Sequence, residues 1–339
     1  VALALGVFLA APLGAQRDWS PDERAIIGDF TRISAVAATM DRVFAVTPDA
    51  VLLFDPQARR WEGPYAPRDP GGLSEVIAAL ADPLDNGLWL VRRNGWIRFD
   101  PGIRSWEQGF VAGTVLDAAL DRNAPAAGLF LRTASGWYTA TRGGAALPGP
   151  APTRPLRPGS VDQAIRDNPA IQANSAALLF AARIRPIRYT AAARAGGFAG
   201  LGWFLGTNGA GLVYFPDGGG IPEPRLFGLP GDAVDAVFVG NGGVWAATER
   251  TTSSDPSLSF VAADFSDFRW FQGPRATGLP FTQARRVVGQ GSALWLATNV
   301  GVLRIVPKDE EIERFDMGRG LPDARVLDLA QRRGRLVAG

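Results

Sequence analysis

Hydrophobic and polar positions alternate in short runs along most of this chain, and the runs recur with a fixed grammar. The run Ala284-Arg-Arg-Val-Val288 predicts a strand, Gly289-Gln-Gly-Ser292 a turn, and residues 293–298 a second strand. Asn299-Val-Gly301 turns the chain again, residues 302–306 predict a third strand, and 312–315 a fourth. Gly320-Leu-Pro-Asp323 then leads into another first strand at 325–330. Four antiparallel strands in one short unit, repeated, are the pattern of a β-propeller blade. The same order appears at 76–80, 88–91, 96–100 and 105–107. Phe54-Asp-Pro56 and Phe99-Asp-Pro101 each end a third strand, because proline has no N–H for the ladder and aspartate favours a turn.

An aromatic phrase marks each second strand: Leu88-Trp-Leu90, Val244-Trp-Ala-Ala-Thr248 and Leu294-Trp-Leu-Ala-Thr298. Weaker copies fall at Phe44, Phe130, Phe204 and Leu336, and successive gaps are 45, 41, 74, 41, 50 and 41 residues. The expected fold is therefore all-β: a β-propeller over 33–339 with about seven four-stranded blades, the last one incomplete. The aromatic positions are expected in the core between blades, and Trp61, Trp106 and Trp270 on outer strands covering blade edges.

The long gap holds an insertion at 153–177, which begins with a proline-rich loop. Ser160-Val-Asp-Gln163 reads as a capping box opening a short helix, with Val161, Ala164 and Ile165 on one face. Asn168-Pro169 breaks it, and a second helical stretch through Ile171 follows. A hairpin at 178–181 and 186–191 returns the chain to the blades, and the insertion is expected to decorate the outside of the blade core.

Composition narrows the chemistry. Histidine and cysteine are both absent, which removes disulfides, the usual ligands of zinc, copper and haem, and a histidine general base. Only oxygen-ligated ions such as calcium remain easy to build, and no cofactor is implied. A formal net charge of +2, with Lys308 the sole lysine, does not point to nucleic acid. Residues 1–16, uncharged through Ala15 and ending in small residues, read as a secretory signal peptide that lacks its basic start. The expected location is periplasmic or extracellular.

The phrases Leu294 to Leu303 (LWLATNVGVL), Phe204 to Leu212 (FLGTNGAGL) and Val244 to Thr248, punctuated by Gly228-Leu-Pro230, Gly278-Leu-Pro280 and Gly320-Leu-Pro322, resemble the two-component regulator propeller repeat. The resemblance spans roughly residues 33–339. It implies a seven-bladed propeller, commonly an exported ligand-sensing or interaction module.

In a propeller, recognition lies on the face where the turns between strands two and three meet the connectors between blades. Arg92, Arg93, Asn208, Glu249, Arg250 and Asn299 are the candidate ligand-binding residues on that face. Arginines converging there could fork onto carboxylate, sulfate or uronate groups, and the polar loop from Glu249 to Ser259 is longer than its counterparts. Turn chemistry is the simpler account of Asn208 and Asn299, each close to a glycine, and hydrogen bonding within the turn that of Thr248 and Thr298. A glycosidase needs two facing carboxylates. Asp82/Asp85, Asp232/Asp235 and Asp264/Asp267 are the pairs present, each in or beside a turn. No catalytic residue or metal site is expected. The reading is an exported, non-enzymatic module binding a small anionic or saccharide ligand, or a protein partner. The alternatives are an envelope scaffold that uses the side of the propeller or the helical insertion from Ser160 to Ala177 and, more remotely, a polysaccharide hydrolase or lyase.

Overall fold

The computed structural model describes residues 28–339 except 29, 68–69, 174–186, 196–201, 226, 230–232, 241, 250–255, 264–267, 272–277 and 333. The expectation of a signal peptide over 1–16 lies outside those residues, as does the first arm of the hairpin at 178–181. The chain is all-β and propeller-like, with two short helices at Val161–Asp167 and Ala170–Ala173. Among the described residues there are seven small antiparallel sheets, numbered blades 1 to 7 in chain order. Five have four strands, blade 3 has five, and blade 7 has the two strands Leu329–Arg332 and Arg335–Ala338.

Blade 2 shows how sequence period becomes packing. Its second strand, Leu88–Arg92, is buried at every residue because neighbouring blades cover both faces. Leu88 and Leu90 join Ile97 and Phe99 in the core towards blade 1, while Trp89 and Val91 join Trp96, Leu129 and Leu131 in the core towards blade 3. The outer strand, Ser105–Phe110, is half exposed, and Trp106 stacks on Phe99 at 4.4 Å between ring centroids. The aromatic phrase behaves as expected in blades 1 to 4, where Phe44, Trp89, Phe130 and Phe204 are buried. Trp245 and Trp295 are only partly buried, packed at the margins of their clusters.

A bulge recurs in the first strand of blades 2, 4, 5 and 6, between Val76/Ala78, Tyr189/Ala191, Val234/Ala236 and Ala284/Arg286. The skipped residues are Ile77, Thr190, Asp235 and Arg285. A bulge re-aims its side chain, and two of these staple blades together. Thr190 Oγ1 donates to the Ile33 carbonyl, just before the first strand of blade 1. Asp235 Oδ2 accepts from Ala284 N at 3.0 Å, the opening residue of blade 6.

The blades do not all pack in chain order. Blade 1 lies between blade 2 and blade 4: it shares one core with Leu88, Leu90 and Phe99 and another with Ala193, Phe204 and Leu212. The segment 28–33 ties it to blade 4 through Ile33 N to Thr207 O at 2.8 Å and Gly211 N to Thr31 O at 2.8 Å. Blade 1 thus takes the place beside blade 4 that blade 6 takes beside blade 5. The insertion is the physical reason. Its helices cover the opposite face of blade 4, with Ala164 and Ile171 fully buried against Trp203, Leu205, Val213 and Phe215. Pro155–Leu156 pairs with the first strand of blade 3 as a fifth strand. The insertion is core, not decoration. First strands of blades 1, 2 and 4, with residues 158–162, surround a cavity of about 330 Å³. No helix among the described residues is long and apolar enough to cross a membrane.

Candidate functional site

The loop face is built from one device repeated. A threonine ends the second strand, and its hydroxyl closes the following turn. Thr298 Oγ1 donates to Gly301 O at 2.7 Å, Thr207 Oγ1 to Gly211 O at 2.9 Å, and Thr47 Oγ1 to Ala50 O at 2.9 Å. Thr133 bonds Ser135 at 2.8 Å and Thr248 bonds Ser257 at 2.9 Å. All five threonines are buried. Gly301, where the third strand begins, has φ +118°, and a Cβ there would stand 2.1 Å from the Phe315 carbonyl, so the turn admits only glycine.

Asn208 and Asn299 lock the connectors to these turns. Asn208 Oδ1 accepts from Arg188 N at 2.8 Å, and Asn299 Oδ1 accepts from Thr282 N and Gln283 N at 3.1 and 3.3 Å. Asn299 Nδ2 also donates to Thr282 Oγ1 at 2.8 Å. Both side chains are engaged in positioning backbone. Glu249 is partly buried and opens the long loop of blade 5, while Arg250 lies outside the described residues. The candidates sit on blades 2, 4, 5 and 6, and among the described residues no hydrogen bond or ion pair joins one to another.

Blade 2 breaks the device. Arg92 stands at the last position of its second strand, opposite Gly95, where Thr298 stands opposite Gly301 and Thr133 opposite Gly136. It is 6 % exposed, and its Nε and Nη2 have no hydrogen-bond partner. Its guanidinium carbon lies 5.2 Å from the centre of the Phe110 ring. A cation–π contact of this kind is worth roughly 0.5–2 kcal/mol, against several for burying an uncompensated ion. Arg98, equally buried, is neutralised: it pairs with Asp85 and lies 5.5 Å over Trp89. Arg93, next in the turn, is exposed. The contrast with five threonines is visible in the sequence once the phrases are aligned by their turns, since Leu88-Trp-Leu-Val-Arg92 ends in arginine where LWLAT ends in Thr298.

The carboxylate pairs resolve differently. Asp82 and Asp85 share Arg142 at 3.4 and 2.9 Å, and Asp82 also accepts from Trp89 Nε1 at 3.1 Å, so this pair is an ion-paired joint between blades 2 and 3. Asp232, Asp264 and Asp267 lie outside the described residues. Burial raises the Asp235 pKa, helped by the Glu249 charge and opposed by the Ala284 N–H and by Arg285. No group of three or more acidic side chains that could hold a metal ion occurs among the described residues.

Fold and face together define a propeller-like repeat protein with one atypical turn. No family model matches the chain, and no curated protein does. Among solved structures it is similar to a computationally designed protein, Ika8, at 12 % identity and TM-score 0.28, over 93 % of this chain and 82 % of that one. It is also similar to the extracellular domain of the putative one component system BT4673 from B. thetaiotaomicron, at 11 % identity and TM-score 0.27, over 91 % of this chain and 52 % of that one. A third is PorZ, a surface component of the type-IX secretion system of Porphyromonas gingivalis, at 12 % identity and TM-score 0.30, over 91 % of this chain and 39 % of that one. The chain thus spans about half or less of the latter two. Overlaps this low do not bear on its function.

Proposed function

We propose that this chain is an exported, non-enzymatic recognition module that binds an anionic ligand, saccharide or peptide, at the loop face of blade 2. The observation that supports it most is the Arg92 guanidinium, buried without a counter-charge among the described residues at a position held by threonine in five other blades. Arg93 adds a second, exposed cation in the same turn. Export rests on the uncharged stretch 1–15.

The test is to screen the purified chain against acidic and neutral polysaccharides and peptides, then repeat with an Arg92→Ala/Arg93→Ala variant whose fold is verified by its thermal midpoint. Binding of an acidic ligand should disappear in the variant, and an unchanged affinity would sink the assignment. The alternative is an envelope scaffold that holds a protein partner on the side of the propeller or on the insertion. Because the insertion helices are core, point substitutions on their exposed residues, not deletion, would test it.

A further inference from the structure

We infer that Arg92 is a receptor for a carboxylate group, covered by Phe110. The inference rests on the loop-face reading and adds the chemical class. The two unpartnered nitrogens are Nε and Nη2. They share one edge of the planar guanidinium, so their N–H bonds form a side-on fork. The two oxygens of a carboxylate match such a fork with two parallel, charge-assisted hydrogen bonds. Sulfate and phosphate would bring further oxygens that need more donors, and the side chain packed on Arg92 is an aromatic ring rather than a second cation.

The walls agree with this. Gly72 backs the other edge of the guanidinium, where a Cβ would stand 3.7 Å from Nη1. Phe110 ends the outer strand Ser105–Phe110 and is 64 % exposed although its ring lies over a residue that is 6 % exposed. Binding requires this exposed ring to move outward and open the fork, after which the ligand's apolar body packs on it. Two sources share this chemistry: a uronate sugar and the free C-terminus of a peptide.

Calorimetric titration of the full chain with benzoate, and with neutral benzamide as control, tests the proposal. Benzoate should bind and benzamide should not. Arg92→Lys keeps the charge and removes the fork, and Arg92→Met removes both. Each should weaken benzoate roughly tenfold to hundredfold, while Lys308→Ala, on a distant hairpin, leaves it unchanged. Without ligand, Arg92→Met should melt higher than the natural chain, because an uncompensated buried charge is gone. Digalacturonate, and a tripeptide with a free or amidated C-terminus, then identify the source. Equal affinities for benzoate and benzamide, no benzoate binding, or full affinity in a folded Arg92→Lys chain would each overturn the inference. A sulfated glycan bound by the natural chain and lost in Arg93→Ala would leave the loop-face reading standing with the carboxylate gone.

Discussion

Asn299 and Asp121 show what single side chains contribute when they organise backbone. Truncating Asn299 to Ala removes the acceptor for Thr282 N and Gln283 N and the donor to Thr282 Oγ1. Because the site is exposed, water replaces part of this, and the expected loss is about 1 kcal/mol in a urea titration. A loss of ligand affinity with no change in stability would assign Asn299 to recognition instead. For Asp121, burial pulls the pKa upward, but hydrogen bonds from Asn123 N, Thr153 N, Thr153 Oγ1 and Arg154 N outweigh it and hold the carboxyl below its ordinary 3.8. A depressed carboxylate adds stability above its unfolded value and loses it as pH falls through the folded one. Asp121→Asn should therefore melt lower than the natural chain at pH ~7, with the gap narrowing on acidification below ~4. A gap independent of pH would show that the charge is not what holds residues 153 and 154. Such roles are hard to read in sequence because the partners lie some thirty residues away, at Thr153 and Arg154. Arg92 is different, since its departure from the threonine phrase is written in the chain and only its lack of a partner needed the structure.

The insertion is legible in sequence as elements but not as packing. Ser160 caps the helix Val161–Asp167 by accepting from Gln163 N at 3.1 Å, which is the serine half of the capping box, and Asn168 ends it. A helix of seven residues does not stand alone in water, so its stability comes from the apolar face it buries. Ala164 supplies that face, Ile171 of the following helix Ala170–Ala173 packs beside it, and both are fully buried against blade 4. The run Gly202–Thr207, buried at every residue, shows that both faces of this strand want cover. It does not say whether a blade or a helix provides it, and that ambiguity makes the insertion look external. Replacing Ile171 with Ala should cost about 2–5 kcal/mol in chemical denaturation, the range for a buried aliphatic truncation. A surface decoration would lose only a few tenths.

At the scale of the molecule, local pattern and global order separate. Repeat count, strand order within each blade and turn positions all follow from period-two alternation and from glycine, proline and aspartate punctuation. The order of blades depends on which face meets which, and near-identical repeats carry little information about that. Phe227 is where the observed order can be challenged. It follows blade 4 in the chain, yet its ring lies 5.8 Å from Phe30, 5.5 Å from Trp61 of blade 1 and 5.4 Å from Phe268 of blade 5. Phe227→Ala should destabilise the protein by about 3–5 kcal/mol. Its effect should also be delocalised in a defined way. Amide exchange should quicken at Val43–Val46 in blade 1 as well as at Leu212–Pro216 in blade 4, although the former lies far upstream in sequence. Blade 3, which shares no core cluster with Phe227, should keep its protection until global unfolding. If exchange instead quickened in blade 3 and spared blade 1, the blades would pack in chain order and segment 28–33 would not join blade 1 to blade 4.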